Sequence, residues 1–277
     1  MVNIEFMVML LLHSTFAYRL MGTTNLPFSM SRLRRATLLQ STDERESELA
    51  TVRNYFNSEG FSRWNKIYSD SDEVNKVQLD IRTGHDQTIS KILKWFDDDS
   101  NTPGLGVKDK TLCDCGCGVG SLAIPLLERG AIVSASDISS SMVDEAERRT
   151  PSPLKTKANF FTSDLESVTG KYDTVCCVDV AIHYPTEQFK DMIGSLCDLS
   201  ERRLIFSFAP KTWYFTGLKK FGELFPGPSK ATRAYLHEEK IVEEELSKRG
   251  FKIERREFTG TNFYFSTLFE VSERRVM

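Results

Sequence analysis

Between residues 43 and 107 apolar positions recur every three or four residues. Leu49, Val52 and Phe56, then Phe61, Trp64, Ile67 and Tyr68, predict two amphipathic helices or one helix broken at Gly60. Ile89, Ile92, Leu93 and Phe96 form a further helical stripe ending at Asp97-Asp98-Asp99. Residues 97–110, with Pro103, Gly104 and Gly106, read as a surface loop. From Thr111 the rhythm changes. Short apolar runs at Thr111–Cys115, Ile132–Ser136, Asn159–Thr162, Thr174–Val178 and Leu204–Phe208 predict strands. Helical patterns near 120–129, 139–149 and 186–199 separate four of them, and a short loop at Pro151–Lys157 precedes the third. Alternation of this kind implies βαβ units and a mostly parallel sheet with helices on both faces. Residues 236–249 predict a last helix closed by Gly250. Phe251–Phe258 and Phe263–Val271 alternate around Thr259-Gly260-Thr261-Asn262 as a closing hairpin, which brings the sheet to seven strands.

The first 42 residues break this pattern. They hold one acid, Glu5, against Arg19, Arg32, Arg34 and Arg35, so they carry +3 and, with the chain at −3, the remainder carries −6. The apolar run Phe6–Leu12 fits a signal-like segment but is too short to span a bilayer. Residues 13–42 are Arg-bearing, hydroxyl-rich and acid-free, the composition of an organelle transit peptide. The pairing resembles the bipartite presequence of algae with secondary plastids, in which a Phe follows the signal cleavage point; Glu5 and the lack of an early basic residue depart from it. We therefore expect three parts: a removable presequence at 1–42, a helical arm at 43–107, and a core at 108–277 with an insertion at about 210–235. Lys+Arg 36 against Asp+Glu 39 leaves no electrostatic footprint for nucleic acid. Six Cys in this arrangement do not make a secreted disulfide framework.

The chemistry concentrates in Asp114-Cys115-Gly116-Cys117-Gly118-Val119-Gly120, which comes directly after the first strand and opens a helix. Glycine is needed where the chain turns sharply and its backbone approaches a ligand. The next strand ends at Asp137, whose carboxylate can accept both hydroxyls of a ribose, and Asp164 ends the third, where it could meet an adenine amino group. Three acids at three carboxyl ends suit a nucleoside whose other half is not a polyphosphate, since a pyrophosphate prefers bare backbone N–H groups. Cationic S-adenosyl-L-methionine fits, with Asp114 near its ammonium or sulfonium end. Each acid taken alone reads as a helix cap or a solvated loop residue. Cys113, Cys115 and Cys117 raise a metal site, yet zinc favours C-x₂-C pairs and four ligands. Buried apolar thiols are the better reading, and no protein-bound metal is expected.

The combined pattern resembles the class I S-adenosylmethionine-dependent methyltransferases, with a Rossmann-like α/β fold. Further stretches resemble one family, the magnesium-protoporphyrin IX methyltransferases of chlorophyll synthesis. They are Val52–Asn57, Gly60–Tyr68, Asp72–Gln78, Asp179-Val180-Ala181-Ile182-His183-Tyr184-Pro185, Gly222–Tyr235 and Phe263-Tyr264-Phe265-Ser266. The resemblance covers about residues 48–270. It implies a cofactor set of Asp114, Gly116, Cys117, Gly118, Asp137 and Ile138, joined by Met142, Asp164, Leu165 and Asp179. It also implies methyl transfer to one propionate of magnesium protoporphyrin IX, giving the 13-monomethyl ester and S-adenosyl-L-homocysteine, with magnesium arriving inside the porphyrin. The same resemblance implies plastid localisation, docking with magnesium chelatase and peripheral plastid-membrane association.

A propionate is ionised at neutral pH, so the task is to align carboxylate and sulfonium and to exclude water. His183, after the fourth strand, could donate a hydrogen bond that aims one propionate oxygen, and Tyr68 could close over the site with a second. The resemblance points to the same two positions as catalytic, whereas without it a structural histidine and a helix-face aromatic would be the plainer readings. Trp213, Tyr214, Phe215, Phe221 and Phe225 would face the macrocycle, and Lys219, Lys220, Lys230 and Arg233 a second propionate. The alternatives are a methyltransferase of another carboxylate or small molecule, an NAD-dependent oxidoreductase, and a porphyrin carrier without catalysis.

Overall fold

The computed structural model describes residue 46 and residues 49–69, 74–102, 104–211 and 235–274. The expected presequence, and every aromatic and basic residue named in the insertion, lie outside the described residues.

Two helices open the described chain, α1 at residues 49–56 and α2 at Glu59–Ile67. The break falls at Asn57-Ser58 and not at Gly60, because the Ser58 hydroxyl turns back to donate to the Asn54 carbonyl (2.6 Å). Helix α3 runs from Lys76 to Ser100, far longer than the predicted stripe. A capping box starts it: Asn75 Oδ1 accepts from the Gln78 amide at 2.9 Å, and Gln78 Oε1 from the Asn75 amide at 3.0 Å. The three aspartates are therefore its last turn and not the start of a loop.

The core comprises β1 (Thr111–Cys115), α4 (Ala123–Glu128), β2 (Ile132–Asp137), α5 (Ser140–Arg149), β3 (Ala158–Thr162), β4 (Tyr172–Cys177), α6 (Thr186–Leu199), β5 (Ser200–Phe208), α7 (Glu239–Lys248), β6 (Phe251–Gly260) and β7 (Phe265–Glu273). Ser152–Lys157, expected as a loop, is a 3₁₀ helix. Strand order is β3-β2-β1-β4-β5-β7-β6. The first five strands pair in parallel, while β7 lies antiparallel between β5 and β6. The order reverses between β1 and β4, the switch point at which open α/β sheets bind ligands.

Period-two alternation assigns the strand faces. Cys113, Cys115, Val175, Cys177, Leu204 and Phe206 pack on the α6–α7 side; Leu112, Cys176 and Ile205 pack on the α3–α4 side. Strand β5 starts earlier than its apolar run because Arg203 is buried with compensation. Its guanidinium pairs with Asp99 and Glu270 and stacks 4.5 Å over Phe96, tying the end of α3 to the sheet.

Candidate functional site

A cavity of about 290 Å³ opens at the carboxyl ends of β1, β2 and β4 beneath the arm helices. Its nucleoside-facing half is built by the glycine loop. The Gly116 and Cys117 amides both donate to the Ser136 carbonyl, at 2.7 and 2.9 Å, folding the loop over the end of β2. Gly116 has φ +80°, and a Cβ there would lie 2.1 Å from Val180 Cγ2. Gly118, at φ +51°, faces open space. That unfilled approach to backbone is what a ligand laid over the loop requires.

Asp137 is held by two amides, Gly118 N–H to Oδ2 at 3.0 Å and Ser139 N–H to Oδ1 at 2.9 Å. Burial nonetheless pushes its pKa above the usual range. Asp114 is more strained electrostatically. It is 2% exposed, and its Oδ2 has no hydrogen-bond partner among the described residues. Burial, then the charge of Asp137, raises its pKa to about 7; an Ala123 amide and nearby His85 oppose the shift. An unpartnered buried carboxyl beside a second acid is a receptor for a cation. Ile138, Met142 and Leu165 also line this half. Cys117 lines it too, as a neutral thiol, its pKa raised by burial and by the two acids. Asp164 does not line the cavity. Its Oδ1 accepts from the Ser167 amide at 2.9 Å and caps a short 3₁₀ helix, and its neighbours Ser163 and Leu165 face inward instead. Among the described residues no group of three or more His, Cys, Asp or Glu could hold a metal ion.

The opposite half is assembled from distant segments. Asp179, just after β4, adopts a left-handed conformation, φ 61°, uncommon for any residue but glycine. Its carboxylate accepts from His85 Nδ1 at 2.8 Å, from the Tyr264 hydroxyl at 2.9 and 3.0 Å, and from Ser207 Oγ at 3.1 Å. Tyr264 reaches it by passing close to α3, where a Cβ on Gly84 would lie 2.3 Å from the ring. The hairpin end is pinned to the same helix by Asp80, which accepts from Thr261 Oγ1 at 2.6 Å and from the Phe263 amide at 2.7 Å. His85, Tyr264 and Ser207 are absent from the sequence-derived site. His85 carried a signal, because it continues the buried stripe of Ile89 and Ile92 with a polar ring; Ser207 carried none.

Tyr68 ends α2 and stacks on His85, ring centroids 4.3 Å apart. Burial first, then the charges of Asp179 and Asp86, hold its hydroxyl well above the usual tyrosine range, so it remains a donor. His183 lies edge-on to Phe56 at 5.2 Å. Burial lowers its pKa to about 4 against a weaker opposing pull from Asp179, and its Nδ1 has no partner among the described residues. It is a neutral ring, able to donate one hydrogen bond without bringing charge. The cavity thus gathers both predicted catalytic residues and every predicted cofactor residue except Asp164.

The arm is latched by polar contacts to α5. Ser139 Oγ lies 2.8 Å from Asn57 Oδ1 and 3.0 Å from the Phe56 carbonyl. Arg149 donates to the Tyr68 carbonyl at 2.6 Å and to the Asn65 side chain. Glu145 steadies Arg149 at 2.8 Å, and its own pKa is lowered to about 2 mainly by the hydrogen bond from Arg148.

Residues 177–273 match the family described as "Magnesium-protoporphyrin IX methyltransferase C-terminus", and residues 112–201 match a general methyltransferase domain. A protein of Arabidopsis thaliana named magnesium protoporphyrin IX methyltransferase, chloroplastic, is 52% identical over 244 residues, covering 87% of this chain and 77% of that one. The magnesium-protoporphyrin O-methyltransferase of a Synechocystis species is 53% identical over 221 residues, 79% of this chain and 94% of that one. A crystal structure of the Synechocystis PCC 6803 enzyme with bound S-adenosylhomocysteine superposes with a TM-score of 0.73 at 49% identity, covering 80% of this chain and 98% of that one.

Proposed function

This chain belongs to the magnesium-protoporphyrin IX methyltransferase family, and from that premise we propose that it moves the methyl group of S-adenosyl-L-methionine onto a propionate of magnesium protoporphyrin IX. The observation that carries the reading is the 53% identity extending over 94% of the Synechocystis relative.

In this reading the nucleoside lies over Gly118 with its ribose toward Asp137 and its cationic end toward Asp114. The propionate oxygen attacks the methyl carbon; a C–O bond forms, the C–S bond breaks, and the electron pair stays on sulfur as the neutral thioether. Carboxylate and sulfonium charges cancel in this step, so a dry, closed cavity favours it and a wet one does not. Tyr68 and neutral His183 supply hydrogen bonds that orient the acceptor.

The protein works in a plastid, as the name of the Arabidopsis relative suggests. Residues 1–42 form a bipartite presequence for a secondary plastid, supported by their composition. Substrate hand-over from magnesium chelatase and a peripheral hold on plastid membranes extend the proposal, supported by the family's place in the pathway; no described helix is long and apolar enough to cross a membrane. The deciding experiment incubates the purified chain with methyl-labelled S-adenosylmethionine and magnesium protoporphyrin IX. Labelled monomethyl ester together with S-adenosylhomocysteine is expected. Pigment binding without either product would leave only a carrier, and label on a different acceptor would name another substrate.

A further inference from the structure

Resting on that reading of the reaction, we propose that His85 binds the acceptor carboxylate through Nε2, with Asp179, Tyr264 and Ser207 holding the ring in place from behind.

The ring is fixed on two sides. Asp179 takes Nδ1 at 2.8 Å, and Tyr68 covers one face at 4.3 Å. Asp179 is itself immobilised by the Tyr264 hydroxyl and by Ser207, whose Oγ also receives the Asp179 amide at 2.9 Å. So much support for one imidazole is what a group that must meet a ligand needs. The remaining nitrogen, Nε2, is buried and has no partner among the described residues, although the side chain is only 8% exposed and the residue lines the cavity. Buried polar atoms are nearly always paired, so an orphan nitrogen on a ring that lines a cavity points to a partner brought by the ligand.

Charge selects that partner. The described lining residues include Asp114, Asp137 and Asp179 and no Lys or Arg, yet the acceptor is an anion. Asp114 and Asp137 lie in the nucleoside half, where a cationic methyl donor offsets them. On the acceptor side, His85 is the ring already paired with a carboxylate. With Nδ1–H donated to Asp179, Nε2 is a lone pair in the neutral ring and an N–H in the charged one. A propionate arriving ionised meets Nε2–H on a protonated ring. One arriving as the acid passes its proton to Nε2. Both routes give one complex, carboxylate–imidazolium–carboxylate, with a single proton between Nε2 and the acceptor. The acceptor's other oxygen attacks the methyl group. The resulting ester carries no charge and loses most of its hold on Nε2–H, which favours product release.

The full chain carrying His85→Phe keeps an aromatic ring against Tyr68 and removes both nitrogens. His85→Met is a second donor-free variant of different shape, and His85→Gln restores a donor. Affinity is measured for S-adenosylhomocysteine by calorimetry, and for magnesium protoporphyrin IX and its dimethyl ester, which has no free carboxylate, by fluorescence quenching. We expect H85F and H85M to weaken free-acid binding about 10- to 100-fold, with dimethyl-ester and S-adenosylhomocysteine affinities unchanged within about twofold, and H85Q to recover most of the loss. Equal losses for acid and ester, or no loss for the acid in whichever donor-free variant folds, would overturn the proposal and leave His85 a packing residue. A wild-type chain that neither binds nor methylates the porphyrin would instead overturn the functional reading, whatever the variants do.

Discussion

The two halves of the cavity are built in opposite ways. The nucleoside half is local: Asp114, Gly116, Gly118 and Asp137 come from two adjacent strands and the loop between β1 and α4, and backbone amides hold its key carboxylate. The acceptor half draws His85 from α3, Asp179 from the end of β4, Ser207 from β5, Tyr264 from the hairpin and Tyr68 from the arm. The first half is a motif that many methyltransferases can share with little else in common. The second exists only when the whole chain is folded, so specificity for one acceptor can reside there while the cofactor half stays generic.

Breaking the local half should give the largest effect. Gly118→Leu puts a branched side chain at φ +51° and into the open space over the loop. S-adenosylhomocysteine affinity should fall at least about 100-fold by calorimetry, since strain and exclusion together exceed the roughly 3 kcal/mol that this factor represents. An unchanged affinity would remove the proposed nucleoside position. His183→Ala should sharpen the contrast from the other side. Turnover is expected to drop about 100-fold while S-adenosylhomocysteine affinity stays within about twofold, because one hydrogen bond to the acceptor is lost and the nucleoside half is untouched. Normal turnover would return His183 to a structural role.

The same division explains what was legible in advance. Strands β1 and β2 and the glycine loop are contiguous, so period and composition reveal them. Helix α3 was underestimated because its first turns, Lys76–Asp80, carry few apolar residues and rely on a cap. The break at Ser58 was misplaced because a side-chain hydrogen bond, and not glycine, makes it. The β5 start was missed because Arg203 is a buried cation whose partners lie far away in sequence. Asp164 stood at the right strand end, but its carboxylate turned to the nearest free amide. Tyr264 and Ser207 matter only through Asp179, and nothing local to either residue announces that.

Electrostatics separates the halves as well. Asp114 has a folded pKa of about 7 against about 4 in an unfolded chain, so between those values the folded state holds the extra proton. Stability therefore declines as pH rises from about 4 to 7 and stays lower above that, by an amount on the order of 4 kcal/mol. Asp114→Asn should match wild type near pH 4 and melt higher at pH 8. Its affinity for S-adenosylmethionine should be weaker and flat with pH, whereas in wild type the affinity falls up to about tenfold per unit below pH 7, as the cation's partner becomes protonated. A wild-type affinity independent of pH from 5 to 8 would mean that Asp114 does not face the cation.

The smallest expected effect tests whether the halves communicate. Helix α5 touches both: its N-cap, Ser139, donates its amide to Asp137 and contacts Asn57 of the arm, while Arg149 near its far end holds the Tyr68 carbonyl. Arg149→Met keeps the aliphatic stem and removes the guanidinium, leaving Glu145 its contact with Arg148. Loss of partly exposed hydrogen bonds at an arm terminus is worth about 1 kcal/mol, so kcat/KM should fall roughly fivefold. If α5 only anchors the arm, that loss appears with the porphyrin alone and S-adenosylhomocysteine binding is unmoved. If α5 transmits between the halves, nucleoside affinity should weaken by a similar factor, because a loosened arm withdraws Asn57 from Ser139 beside the Asp137 carboxylate. The short path from Asp137 through Ser139 to Asn57, three residues linked by direct hydrogen bonds, favours the second outcome.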